Sequence, residues 1–286
     1  MSGAPVFPPE IEREVFECAA LSLCGTIPNL LLVAHRVHQW IEPILYRIVR
    51  INTGNIDMVH SLFTAMSSKP PQFFQNSVRH LSIEDTHSTS TAARNELLSL
   101  CTGLTTFGCS NSLVNSSLLP ILAQSRVEKL SISLTDLFYP NPVDPTHSVF
   151  SALTHLDLFV GHGEESMLPD VSLFPSLTHL CVDTEVARDA ALKVLERCPR
   201  LQLLLIQWPI NDQEWYVSSQ EPCEYDVRFV IGVYDNYWGE WEAEAKGLSK
   251  FWREADEFVL CKRRGEIPCT RMCSACGLLL SLERIM

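Results

Sequence analysis

The residues best suited to chemistry lie near the C-terminal end and in two short apolar strings. Cys261, Cys269, Cys273 and Cys276 put four thiols within sixteen residues and finish in Cys-x-x-Cys-Gly, a knuckle-like spacing that suits zinc. Against a metal there, Cys261 falls at the end of a helical pattern and no second knuckle follows. The second group is His155-Leu156-Asp157 with His179-Leu180-Cys181. If both strings are neighbouring strands, two His, one Asp and one Cys share a face about 4.8 Å apart. A flat quartet lacks the tetrahedral wrap that zinc needs. Leu-Thr-His-Leu also occurs twice, as plain repetition would produce. Both groups are therefore read without a metal or other cofactor, the histidines as polar contact surface. Glu164-Glu165 and Asp256-Glu257 read as solvated faces. The chain has no Gly-rich phosphate loop, no Gly-x-Ser-x-Gly elbow and no His-Glu-x-x-His, so no enzymatic activity is expected.

The histidine strings belong to a period that runs through the chain. Apolar-x-x-apolar-x-apolar occurs at Val78/Leu81/Ile83, Leu104/Phe107/Cys109, Val127/Leu130/Ile132, Leu153/Leu156/Leu158, Leu177/Leu180/Val182 and Leu201/Leu204/Ile206. Successive starts are 26, 23, 26, 24 and 24 residues apart. Weaker copies flank the set at Tyr46/Val49/Ile51 and along Val227–Val233. Each core alternates like a strand with one buried face. Helix-capable segments fall between several of them, at Asp57–Met66, Ala92–Cys101, Ser116–Gln124 and Arg188–Cys198. One such unit cannot bury its apolar face alone, so units must stack. The strand–helix period resembles the leucine-rich repeat, whose units run to about 20–29 residues. The residues between the apolar positions then face a partner-binding surface, which nominates His80, Lys129, His155, Asp157 and His179 for substrate contact. The usual Asn or Cys turn position is filled instead by Thr86, Ser112, Thr135, Gly161, Glu185 and Pro209, so the array is expected to be irregular. An open α/β sheet with mixed connections is the structural alternative.

Two segments differ in texture. From Gly239 to Arg264 the stripe Trp241, Ala245, Leu248, Trp252, Ala255, Val259 predicts one long helix that caps the last repeat. At the other end, residues 7–47 predict three short helices. Pro8 and Pro9 suit a first turn, Glu10, Glu12 and Glu14 favour the positive end of the dipole, and Ile11, Val15, Phe16 and Ala19 form an apolar face. Forty residues make too small a core to stand alone, so these helices must dock on something.

This N-terminal segment resembles an F-box, the module that binds the Skp adaptor of cullin–RING ubiquitin ligases. The match rests on Phe7-Pro8-Pro9-Glu10-Ile11, Val15-Phe16, Leu31-Leu32-Val33-Ala34 and Trp40. Phe7 stands for the usual leucine, Ala34 for the usual cysteine, and the stretch to Trp40 is a few residues long around Ala20–Thr26. Joined to the repeats, it is similar to the large fungal families of F-box-like proteins. The resemblance implies an α/β chain built as an F-box-like helical module (7–47) and an irregular leucine-rich-repeat solenoid with a C-terminal capping helix (48–264); a Cys-containing tail (265–286) falls outside it. It implies adaptor contacts at Phe7, Pro8, Ile11, Val15, Phe16, Leu31, Val33 and Trp40. The function implied is a substrate-recognition subunit that holds an unidentified protein for ubiquitin transfer. The alternative is a leucine-rich-repeat scaffold whose N-terminal helices only cap the solenoid.

Bulk properties narrow the partners further. With 34 acidic against 22 basic residues the net charge is −12, which disfavours nucleic acid, whose binding relies on clustered Lys and Arg. Met1–Glu10 has neither a basic nor an apolar region of a secretory signal, and no apolar run reaches the roughly 20 residues of a membrane span. The 11 cysteines are odd in number and sit mostly in apolar segments, as reduced thiols of the cytoplasm or nucleus do.

Overall fold

The computed structural model describes residues 7–84, 90–159, 168–183, 188–209, 226–248 and 251–267. It opens with three helices, α1 (Pro9–Ser22), α2 (Ile27–Leu30) and α3 (His35–Leu45). Proline occupies the first turn of α1, where no intrahelical bond needs its missing N–H, and Glu10 and Glu12 sit at the positive end of the dipole. Ala20, Ile27, Val37 and Ile41 are fully buried in a cluster of their own, with Phe16, Leu30, Leu31 and Trp40 packed around them. An ion pair from Arg36 to Glu12 (2.6 Å) ties α3 to α1.

Beyond the module, the eight strands of the described residues form one parallel sheet whose spatial order is the chain order. They are β1 (Ile48–Ile51), β2 (His80–Ile83), β3 (Thr106–Cys109), β4 (Lys129–Ile132), β5 (His155–Leu158), β6 (His179–Asp183), β7 (Leu203–Pro209) and β8 (Phe229–Tyr234). Each of the eight apolar patterns in the sequence lies on a strand, and the register aligns them. Val49, Leu81, Phe107, Leu130, Leu156, Leu180 and Leu204 stand side by side from strand to strand. A one-residue slip would turn this whole row outward, so burial fixes the register. Parallel neighbours require crossovers. Helices α4 (Ile56–Ser68), α5 (Pro71–Ser77), α6 (Thr91–Leu100), α7 (Leu119–Leu122), α8 (Leu134–Phe138) and α9 (Arg188–Arg197) lie in the connections with short 3₁₀ turns. Helix α5 starts on Pro71, whose fixed φ and missing N–H suit a first turn. A single core runs beneath the strands, and within it Phe138, Phe150 and Phe174 stack with centroids 5.8 and 4.1 Å apart.

The C-terminal stripe forms two helices, α10 (Tyr237–Ala245) and α11 (Phe251–Arg263), where the sequence predicts one. Gly247 breaks it. Its φ of 70° is the left-handed conformation that suits glycine, its N–H donates to Glu244 O, and the Leu248 N–H donates back to Ala243 O at 2.8 Å. Those two bonds are a Schellman ending, which satisfies the last carbonyls and turns the chain out of the helix. Gly265 ends α11 the same way, with Glu266 N–H donating to Cys261 O. Among the described residues no helix is long and apolar enough to cross a membrane.

Candidate functional site

Two surfaces gather the residues that the sequence singles out. The first is the outer side of the N-terminal helices. Phe7, Ile11 and Val15 recur every four residues and are 57%, 46% and 57% exposed, while Leu32 and Val33 in the turn before α3 are 86% and 57% exposed. Pro8 is exposed as well. Phe16, Leu31 and Trp40 are half-buried and support the four-residue core from within. The eight nominated residues thus divide into an exposed apolar set and a supporting set. On the side toward the sheet, Glu42 of α3 pairs with Lys69 at 2.7 Å.

The second surface is the sheet face opposite the large core. Register places His80, Thr106, Lys129, His155 and His179 in one line, with Ser82, Gly108, Ser131, Asp157 and Cys181 in the next. All five nominated substrate residues stand on this face. It is not open, because α10 and α11 lie across it. Arg50 of β1 pairs with Glu242 (3.1 Å), Lys129 with Glu244 (2.7 Å), and His179 Nε2 lies 3.1 Å from Asp256 Oδ1. Tyr237 donates its hydroxyl to Asp157 Oδ2 at 2.7 Å. Trp252, Ala255 and Val259 cover Cys181, Leu203, Leu205 and Val230 toward the last strands. Lys262 reaches the Phe229 carbonyl at 2.9 Å. The expected cap is therefore a covering of the polar face, and its acidic side chains meet the face's own cations.

Glycine at 108 permits this closeness. A Cβ there would stand 2.8 Å from the Trp238 ring and 3.1 Å from Trp241 Nε1, inside ordinary contact distance. Sequence reasoning missed Arg50, Gln207, Tyr237, Trp241, Glu242, Glu244, Trp252 and Asp256 as parts of this surface. Their partners lie up to 192 residues away in sequence, and no local period signals such pairs.

The buried environment sets the charge states. Burial, helped by Arg47, Lys129 and Arg79, lowers His80 to about 4. Burial, with His179 and Lys129 beside it, lowers His155 to about 3. Both imidazoles are neutral at physiological pH. Burial raises Asp157 to about 6 although Tyr237 and Ser131 donate to it, so its carboxylate is mostly ionised at neutral pH. The rings of His155 and His179 stack at 4.1 Å, within 8° of parallel. His179 Nε2 and Asp157 Oδ2 already have partners, so the four side chains do not converge on a shared point. Among the described residues no group of three or more His, Cys, Asp or Glu is placed to hold a metal ion. Cys269, Cys273 and Cys276 lie outside the described residues, and Cys261 is half-buried on α11.

The sequence matches no protein-family model, and no curated protein is significantly similar to it.

Proposed function

We propose that the chain is an F-box-type recognition subunit. Its N-terminal helices dock on a Skp-type adaptor of a cullin–RING ligase, in the cytoplasm or nucleus, and its irregular leucine-rich-repeat body holds a protein substrate. One observation carries this reading: Phe7, Ile11, Val15, Leu32 and Val33 remain exposed on a module whose own core is already closed. Helices that merely capped the sheet would turn such residues inward, because burying one stabilises by about 1.5–3 kcal/mol. Large apolar side chains kept in water on one module mark an interaction site. The chain's contribution is to bring the substrate near the ubiquitin-charged enzyme, which raises its effective concentration. His80, Lys129, His155, Asp157 and His179 act in this reading by holding the two C-terminal helices in place. The surface offered to the substrate is then the outer side of those helices together with the strand ends.

The test is adaptor binding by the purified full-length chain, wild type against Ile11→Asp with Val15→Asp. Saturable micromolar binding by the wild type, lost in a variant with unchanged circular dichroism, is the expected result. A folded wild type that fails to bind the adaptor at micromolar concentration would overturn the proposal in favour of the scaffold reading.

A further inference from the structure

Between the polar sheet face and the two C-terminal helices lies a cleft that the adaptor reading does not use. Its cavity volume is about 80 Å³, room for a compact group and not for a drug-sized ligand. Four aromatic side chains line it: Tyr237 and Trp241 from α10, Phe251 and Trp252 from α11. Asp157 forms part of its floor on β5. We propose that this cleft binds a small organic ammonium group, the cation resting among the aromatic rings and beside the Asp157 carboxylate.

Three observations lead there. The first is the state of Asp157. Its Oδ2 accepts from Ser131 Oγ (2.9 Å) and Tyr237 OH (2.7 Å), while its Oδ1 is buried with no hydrogen-bond partner. A buried carboxylate oxygen left unmatched costs free energy unless a donor or a positive charge reaches it.

The second is the local charge balance. Lys129 lines the cleft, and its ammonium is matched by Glu244 at 2.7 Å. His80 and His155 also line it and are neutral near pH 7, since burial lowers both. The Asp157 charge is thus not balanced by an ion pair of its own, and an entering anion would meet it unfavourably.

The third is the wall chemistry. Aromatic faces carry negative potential and attract alkylated ammonium ions, which need no hydrogen-bond acceptors of their own. A hard metal ion would require several oxygen ligands, and among the described residues no such group is assembled. Aromatic walls with a carboxylate in the same cleft suit a soft organic cation better.

Such a group could be a free alkylammonium compound or the alkylated amine of a peptide side chain. The full-length protein is titrated with tetramethylammonium chloride, with capped trimethyllysine and with 3,3-dimethylbutan-1-ol, a neutral isostere of choline. Ionic strength is held constant, and binding is read by tryptophan fluorescence and calorimetry. Saturable binding of tetramethylammonium is expected, roughly tenfold tighter than the neutral alcohol and weakened roughly tenfold in Asp157→Asn. If capped trimethyllysine binds as well, the mouth admits a peptide-borne cation; if only the free ion binds, the site takes a small molecule. Both results support the proposal. Should Asp157→Asn disturb the fold, as judged by near-ultraviolet circular dichroism, Phe251→Leu takes its place and is expected to weaken cation binding while sparing the alcohol. No saturable binding of either cation, or a neutral isostere that binds equally well, would overturn it. The adaptor-face variant Ile11→Asp with Val15→Asp keeps full cation binding, which separates failure of this proposal from failure of the adaptor reading.

Discussion

The N-terminal helices and the sheet body solve the same problem in opposite ways. Among the described residues the body buries most of its large apolar side chains in one core beneath the strands and then covers its polar face with its own C-terminal helices. The N-terminal module has four fully buried apolar side chains and leaves a row of larger ones in water. Both regions are built from short elements with apolar periodicity, so composition does not separate them. Topology does. Parallel strands stacked in chain order bury each unit against the next, whereas three short helices offer little interior and must use their outer surface for something else.

The largest test of this contrast compares the two cores. Phe150 is fully buried between Phe138 and Phe174, and Phe150→Ala is expected to cost about 3–5 kcal/mol and to shift the whole denaturation curve of the body. Ile41→Ala, equally buried but in the small module, should release the helices locally. Hydrogen exchange would then lose protection across α1–α3 while the strands keep theirs. If Ile41→Ala instead lowers protection throughout the sheet, the two regions form one cooperative unit and the contrast fails.

A smaller effect is expected where the body covers itself. Gly108→Val places a branched side chain against both indoles of α10, and relief is expected from a lift of that helix. Overpacking of this kind costs about 1–3 kcal/mol. The fluorescence of Trp238 and Trp241 should shift to longer wavelength as they meet water, and the cleft that Trp241 helps to line should open. Unchanged emission would mean that the sheet, not the helix, gives way.

These variants also mark what the sequence makes legible. The eight strands are readable because each repeats a two-residue alternation at a spacing of about 25 residues, and registered pairing follows once one face must be buried. The helical character of residues 9–45 is readable from Pro8-Pro9 and the first-turn acids. The break at Gly247 is hidden because Trp241, Ala245, Leu248 and Trp252 keep helical spacing straight through it, while the glycine asks only for a local turn. The covering of His80, Lys129, His155 and His179 is hidden for a different reason. Their partners come from helices at the far end of the chain, and matching Arg50 to Glu242 or Lys129 to Glu244 depends on where the folded chain returns. Nor can a periodic stripe tell whether Ile11 and Val15 face the chain's interior or another protein.

The covered face should also set how the body responds to acid. His80 and His155 have pKa values lowered to about 4 and 3 in the folded chain, against about 6.5 unfolded, so the unfolded state takes up more protons as pH falls below 6.5. That destabilises the fold progressively down to the folded values. Asp157 acts oppositely: its pKa is raised to about 6, so the folded state holds its proton more tightly and gains stability as pH falls from 6 toward 3.8. Two histidines outweigh one aspartate, and midpoint stability should decline between pH 6.5 and 4.5. His155→Asn should flatten the decline, and Asp157→Asn should steepen it by removing the opposing proton uptake. A decline untouched by His155→Asn, His80→Asn and Asp157→Asn alike would place the sensitivity outside this face.

The smallest expected effect is the one that most sharpens the comparison. Ile11→Ser with Val15→Ser removes two large apolar side chains from α1, a change that in the body would be among the most damaging. Here both residues stand about half in water and are not among the module's buried core side chains. Surface substitutions of this kind usually change stability by no more than about 0.5 kcal/mol. Serine has about the same helix propensity as isoleucine and valine, so propensity does not alter that expectation. Denaturation midpoints for the module, followed by hydrogen exchange in α1–α3, should therefore match the wild type. A loss of 2 kcal/mol or more, about the worth of a buried aliphatic side chain, would show that this row is already packed against the chain itself. An unchanged midpoint leaves the row as apolar surface that stabilises nothing within the chain, which is the property a docking face requires and a cap does not.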